Sequence, residues 1–256
     1  MKHHVVVATY HKTGTVWMNN VFRTFCAAAP ASFHTLSRDV SRWKDTPDQI
    51  RIFQEFQADA ESRGEHAVIF ENHCNLPPVE VMQGCRGFRV VRDPRDVLIS
   101  AANYHVRSDE AWLHAKQPKF GGMTYAEKIN SLDSFEDRIL FEMDHVGGET
   151  IVKMAHFDKD RILETVKYED LVTDTEMTVW TSLMRRIGLE DTDLDAAAKA
   201  FWQCSLFGGM RNKSISHQTS GSPRQWYDKF SDALSQAVEA RFGKEIETLG
   251  YAVPAA

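Results

Sequence analysis

Apolar and polar positions along this chain alternate between a short-strand pattern and a helical one. Val5-Val6-Val7 is a β-branched apolar run, too short for a helix and right for a buried strand. Val16, Val21, Phe22 and Phe25 then recur at helical spacing. Pro30 breaks the pattern, and Ala31 to Lys44 reads as irregular. Thr46-Pro47 is a helix start, and the helix runs to Glu61 with Ile50, Phe53 and Phe56 inward. Ala67 to Phe70 and Phe88 to Val91 are two more strands, the second followed by a helix that Asp93-Pro94 opens. Residues Arg107 to Gly122 are polar and irregular. One helix is predicted from Thr124 through Leu132, Phe135, Ile139 and Phe141, with Gly147-Gly148 separating it from the next. Arg161 to Leu171 reads as a fourth strand with a polar end. Helices follow at Glu176–Ile187 and Asp193–Trp202, and an amphipathic one at Asp232–Phe242 ends at Gly243. At 256 residues, this suits a single α/β domain over 1–256.

The stretch between the first strand and first helix carries chemistry. Tyr10-His11-Lys12-Thr13-Gly14-Thr15 combines a cation, two hydroxyls and a glycine able to take a left-handed backbone. A loop entering a helix presents unpaired N–H groups, and the helix dipole favours an anion there. It reads as a phosphate cradle. It is not the nucleoside-triphosphate loop GxxxxGK[ST], because Lys12 precedes Gly14.

Other positions at strand ends stand out, since ligands of parallel α/β sheets bind at the carboxyl ends of strands. Glu71 and His73 follow the second strand, and Arg92 follows the third. An imidazole takes a proton near neutral pH, which an amide such as Asn75 does not. Arg92 and Ser100 can converge on one phosphate, adding charge and direction.

The totals narrow the partners. A net charge of −6 argues against a broad nucleic-acid or membrane surface, and the 43% apolar fraction supports a substantial core. The four cysteines, Cys26, Cys74, Cys85 and Cys204, show no CxxC or zinc spacing and read as thiols of a reducing compartment, with Cys74 the candidate reactive one. No signal peptide or membrane-length apolar run is visible, so a soluble, cytoplasmic protein is expected.

Four motifs in order resemble the sulfotransferase family that uses 3′-phosphoadenosine 5′-phosphosulfate (PAPS). His11 to Met18 resembles its 5′-phosphosulfate loop, PK[ST]GT[TS]WL, with His11 in place of Pro and Val16 in place of Thr or Ser. Val90 to Ser100 is similar to the 3′-phosphate motif V-x-R-[DN]-x-[KR]-D-x-x-x-S. Tyr168-Glu169-Asp170-Leu171 resembles the segment whose tyrosine touches adenine. The segment after the second strand resembles Lys-Thr-His-Leu-Pro or Lys-Thr-His-Asn, whose histidine is the general base. Counting from the strand gives His73, counting back from Leu76-Pro77 gives Asn75, and Glu71 is the fallback.

The resemblance implies a P-loop-type three-layer fold with a central parallel sheet flanked by helices. It implies transfer of a sulfuryl group from PAPS to a hydroxyl or amine of a small-molecule acceptor, leaving adenosine 3′,5′-bisphosphate (PAP). His73, Lys12 and Ser100 would be catalytic, with Ser100 restraining Lys12 until the acceptor binds. Lys12, Thr13, Gly14, Thr15, Val16, Trp17, Arg92, Ser100, Tyr168, Gly221 and Arg224 would hold the donor. No metal is expected, since sulfate carries less charge than phosphate and no ligand set is evident. Arg107 to Gly122 becomes an acceptor-side loop, with Trp112 and Phe120 lining the pocket or packing the loop, while His105 is expected to pack. Against R-K-G-x-x-G-x-W, the C-terminal stretch keeps Gly221 and Trp226 but has Thr219 and Ser220 in place of the basic pair, so either Arg211, Lys213 or Arg224 supplies the charge or the 3′-phosphate is bound less tightly. The alternatives are a small-molecule kinase, which would need a GK[ST] loop and a strand-end Asp, and a non-catalytic nucleotide-binding protein.

Overall fold

The computed structural model describes residues 1–36, 46–158, 162–210 and 221–252. Five strands form one all-parallel sheet: β1 (His4–Ala8), β2 (Ala31–Thr35), β3 (His66–Glu71), β4 (Cys85–Val91) and β5 (Leu163–Lys167), in the order β2-β3-β1-β4-β5. The chain divides into two compact units, Met1–Val91 with Asp158–Lys213, and Arg92–Phe157 with Ser214–Ala256.

The first unit holds the sheet with α1 (Thr15–Cys26), α2 (Thr46–Ser62), α7 (Tyr168–Val172), α8 (Thr178–Arg186) and α9 (Asp191–Cys204). Central β1 is apolar on both faces, and Val5, Val6 and Val7 are buried, as expected for a parallel strand between two neighbours. The apolar stripe of α1, Met18-Val21-Phe22-Phe25, meets an aromatic core in which Trp180 stacks on Phe201 at 4.3 Å and Phe22 lies 5.8 Å from Phe88. Each such buried aromatic contributes on the order of 2 kcal/mol from area alone. Asp174 fixes the start of α8 by accepting the N–H groups of Thr178, Val179 and Trp180.

The structure corrects the sequence reading in this unit at two places. The stretch expected to be irregular contains β2, an edge strand with only Ala31 buried, so it lacks the apolar run that marks the others. The fourth predicted strand stops at Lys167, because Tyr168 already begins α7.

The second unit is helical: α3 (Pro94–His105), α4 (Tyr125–Asn130), α5 (Phe135–Met143), α6 (Val146–Ala155), α10 (Trp226–Lys229) and α11 (Asp232–Thr248). The single helix predicted from Thr124 is two. Thr124 with Glu127 and Ser134 with Asp137 each form a capping box, and the second starts the chain anew at α5. Gly147-Gly148 does not separate helices but lies in the first turn of α6, where a Cβ on Gly148 would sit 1.9 Å from the Met143 carbonyl. Helix α11 runs past Gly243, since Leu234, Val238, Phe242 and Ile246 keep one buried face. Among the described residues no helix is long and apolar enough to cross a membrane.

His105 packs, as expected. It is fully buried, with Nδ1 2.6 Å from Glu142 Oε1, which also accepts the Tyr125 hydroxyl at 3.0 Å. Phe120 is buried against Tyr125 and Phe141, and so packs the loop. Trp112 is 38% exposed and sits edge-on to His105 and Tyr125. Cys74 and Cys85 are buried, Cys26 and Cys204 half-buried, and none of the four forms a disulfide. Burial pushes the Cys26 and Cys85 thiols up to about 12.

Candidate active site

In the first unit the loop after β1 is shaped by its own hydroxyls. The Tyr10 carbonyl accepts the Thr13 N–H at 3.2 Å and the Thr13 and Thr15 hydroxyls at 3.0 Å each, while Tyr10 N–H donates to Thr13 Oγ1 at 2.9 Å. These bonds wrap the loop around one carbonyl and place Lys12 (φ 64°) and Gly14 (φ 98°) in left-handed conformations. At position 14 a side chain would also meet the Tyr168 ring 3.2 Å from its Cβ, so glycine suits the site twice over. The first bond inside α1 runs from Met18 N–H to the Gly14 carbonyl, leaving the N–H groups of Thr15, Val16 and Trp17 ahead of it. No acidic side chain lies in that first turn to offset the positive end of the dipole. Val16 is 50% exposed there, and Trp17 lies edge-on to Tyr168 at 6.0 Å.

The loop after β3 is tied to this one. Thr9 N–H donates to the Glu71 carbonyl at 2.9 Å, and the Thr9 hydroxyl reaches the Asn72 carbonyl at 3.2 Å and the Thr15 hydroxyl at 3.0 Å. Glu71, fully buried, uses Oε2 to accept the His73 N–H at 2.7 Å and the Asn75 N–H at 2.8 Å. The carboxylate thus folds the loop, and His73 projects as an exposed residue from it. Beneath lies Tyr10, whose hydroxyl accepts from buried Arg89 at 3.2 Å; burial and the neighbouring Cys74 hold its phenol well above the usual range. Reasoning from sequence missed Arg89, since an arginine inside an apolar strand carries no sign of a phenol 79 residues away. The unit therefore brings Lys12 to Trp17, His73 and Tyr168 to one end of the sheet.

The second unit holds Arg92, Ser100, Gly221 and Arg224. Asp93 caps α3 by accepting the Arg95 N–H, and Pro94 follows it, as the sequence foretells. Arg92 and Ser100 are both buried at 4% exposure. Asp93 binds the Arg95 guanidinium at 2.8 Å through both oxygens, while buried Arg92 pairs with buried Asp96 at 3.9 Å and donates to the Ser222 carbonyl at 3.5 Å. Gly221 is half-buried, and Arg224 is exposed with φ 59°. Arg211, Lys213, Thr219 and Ser220 lie outside the described residues.

Burial pushes the Asp96 carboxyl up to about 6, against the pull of Arg92 and with a further push from Asp93. Its folded value lies above the unfolded 3.8, so the folded chain holds an extra proton between the two. This group alone therefore adds stability below about pH 3.8 that is lost as pH rises through about 6. The ¹³C carboxyl resonance of Asp96 is expected to titrate near pH 6, and a midpoint near 4 would contradict its burial.

Among the described residues no cluster of three or more His, Cys, Asp or Glu is placed to hold a metal ion. No curated protein matches the chain by sequence. In fold, mouse sulfotransferase SULT7A1 complexed with PAP is similar at 15% identity and TM-score 0.60, covering 96% of this chain and 84% of that one. Retinol dehydratase in complex with retinol and PAP is similar at 15% identity and TM-score 0.50, covering 98% and 83%. The family model of the sulfotransferase domain matches residues 2–250. With that match spanning nearly its whole length, the chain belongs to the sulfotransferase family and is a sulfotransferase.

Proposed function

We propose that residues 1–256 act as one domain that moves a sulfuryl group from PAPS to a hydroxyl or amine of a small-molecule acceptor, with His73 as general base. The observation that carries this is the loop from Lys12 to Trp17, a cation and a row of N–H groups at a helix terminus with no acidic residue in its first turn. That donor set fits a 5′-phosphosulfate, and PAP is the ligand complexed in both solved structures of similar fold. In the second unit, buried Arg92 and Ser100 suit a 3′-phosphate.

PAPS supplies the activated sulfuryl group. His73 takes the proton from the acceptor oxygen or nitrogen as that atom forms its bond to sulfur. The bond from sulfur to the oxygen it shares with the 5′-phosphate breaks in line, and the electron pair stays on that oxygen. Lys12 and the N–H groups of Thr15, Val16 and Trp17 stabilise the charge that builds there, as in other transfers that depend on positioning and preset dipoles. Tyr168, buried beside Gly14 and Trp17, offers a ring edge to the adenine. His73 is preferred to Glu71 because the Glu71 oxygen that faces the loop already accepts two N–H groups.

Calorimetric titration with PAP, 5′-AMP and ATP tests the donor. PAP is expected to bind far more tightly than the other two. Equal or absent binding would overturn the reading in favour of a non-catalytic protein or a different donor.

A further inference from the structure

Residues 222 to 226, which follow the position of the family's basic pair, are held by residues at the start of α3. Asp96 sits in the first turn of α3, four residues after Arg92, and is fully buried. Its Oδ2 accepts the Arg224 N–H at 2.6 Å and its Oδ1 accepts the Trp226 N–H at 3.2 Å. Arg92 donates to the Ser222 carbonyl of the same segment at 3.5 Å and lies 3.9 Å from Asp96 Oδ2. Arg95, clamped by Asp93 and bonded to the Ala252 carbonyl at 3.1 Å, lays its guanidinium 3.7 Å from the Trp226 ring. Helix α3 thus grips residues 222 to 226 by a carboxylate, a guanidinium and a stacked ring.

One of the gripped positions is strained. Arg224 has φ 59°, a left-handed conformation that is unfavourable for a residue with a Cβ and persists only where the surroundings hold it. Asp96 Oδ2 holds the N–H of that very residue. Strain of this kind at an exposed arginine, beside a buried arginine of the 3′-phosphate motif, has the form of a ligand clamp.

We propose that Asp96 is a positioning residue for recognition of the donor's 3′-phosphate: it fixes the backbone of Arg224, so that this one guanidinium serves where the family uses an Arg-Lys pair. This rests on the PAPS reading above. A carboxylate offers an acceptor to each N–H, whereas an asparagine offers one acceptor and turns its NH₂ towards the other donor. Asp96→Asn therefore frees one end of the segment at nearly constant volume.

The test is the ratio of PAP to 5′-AMP affinity, because the two ligands differ by the 3′-phosphate. Calorimetry on the full chain compares the wild type with Asp96→Asn, Arg224→Gln and the double variant. Each single change is expected to lower the ratio about tenfold, through PAP alone, as fits loss of one charge-assisted contact. The double variant is expected to match Arg224→Gln, because Asp96 acts through Arg224. An unchanged ratio in folded Asp96→Asn, a parallel fall in 5′-AMP affinity, or additive losses in the double variant would each overturn the proposal. A wild-type ratio near one would instead sink the PAPS reading, and is seen before any variant is made. If Asp96→Asn does not fold, hydrogen exchange on the wild type decides: the Arg224 and Trp226 amides must be protected, and exchange at unprotected rates would overturn the role of Asp96.

Discussion

His73→Ala is expected to lower sulfuryl transfer by about 10²-fold or more while PAP affinity stays nearly intact. The magnitude is that of a general base whose proton transfer accompanies bond formation. The separation of rate from binding follows from the local structure. The histidine contributes its backbone N–H to Glu71, and alanine keeps that bond, so the loop retains its shape. The ring itself is exposed at the end of β3, so its removal leaves no cavity in the core. Single-turnover transfer with saturating PAPS measures the loss, and PAP calorimetry on the same variant measures binding. Full turnover would rule out His73 as the base. A matched loss of PAP affinity would make it a binding residue instead.

Gly87→Ala is expected to remove most of the stability of the fold, by about 4 kcal/mol or more, because no local adjustment accommodates the new atom. A Cβ at position 87 would lie 1.8 Å from the Val6 carbonyl oxygen and 2.9 Å from Leu163 Cδ2. Relief would require β4 to move away from both neighbours. It cannot, because Gly87 pairs with Val6 on one side and Leu163 on the other, in a sheet whose β1 is held in turn by β3. The control is Gly243→Ala, where the new methyl meets open space inside α11 and should be neutral or stabilising by up to about 1 kcal/mol. Urea unfolding of both variants reads the contrast. A wild-type midpoint for Gly87→Ala would mean that the two strands are further apart than the pairing states.

The loop after β1 and the start of α3 were legible because their residues act over short spans of chain. Lys12, Gly14 and the start of α1 lie within four residues, and a left-handed glycine before a helix N-terminus leaves its mark in the local pattern. The Asp93-Pro94 start of α3 is equally local. Where sequence and structure differ the cause is also local: β2 is a half-buried edge strand without an apolar run, and the Ser134 capping box lies within a helical period that continues across it. The preference for His73 over Glu71 rests on imidazole chemistry readable in the sequence; only the fold adds that the Glu71 carboxylate holds two amides, since nothing in the order of residues says so.

By itself, the sequence determined the α/β class, the glycine-bearing loop between the first strand and α1, and the Asp93-Pro94 start of the helix that follows β4. Each depends on residue type at short separation, where backbone geometry leaves few choices. The tertiary structure alone decided what Asp96, Glu142, Arg89 and Gly87 do. Asp96 meets the Arg224 amide 128 residues away, Glu142 meets His105 37 residues away, and Arg89 meets Tyr10 79 residues away. A buried polar group must find its partner wherever the chain returns, and a strand glycine is required by whichever backbone lies beside it, so neither leaves a periodic trace in the order of the residues.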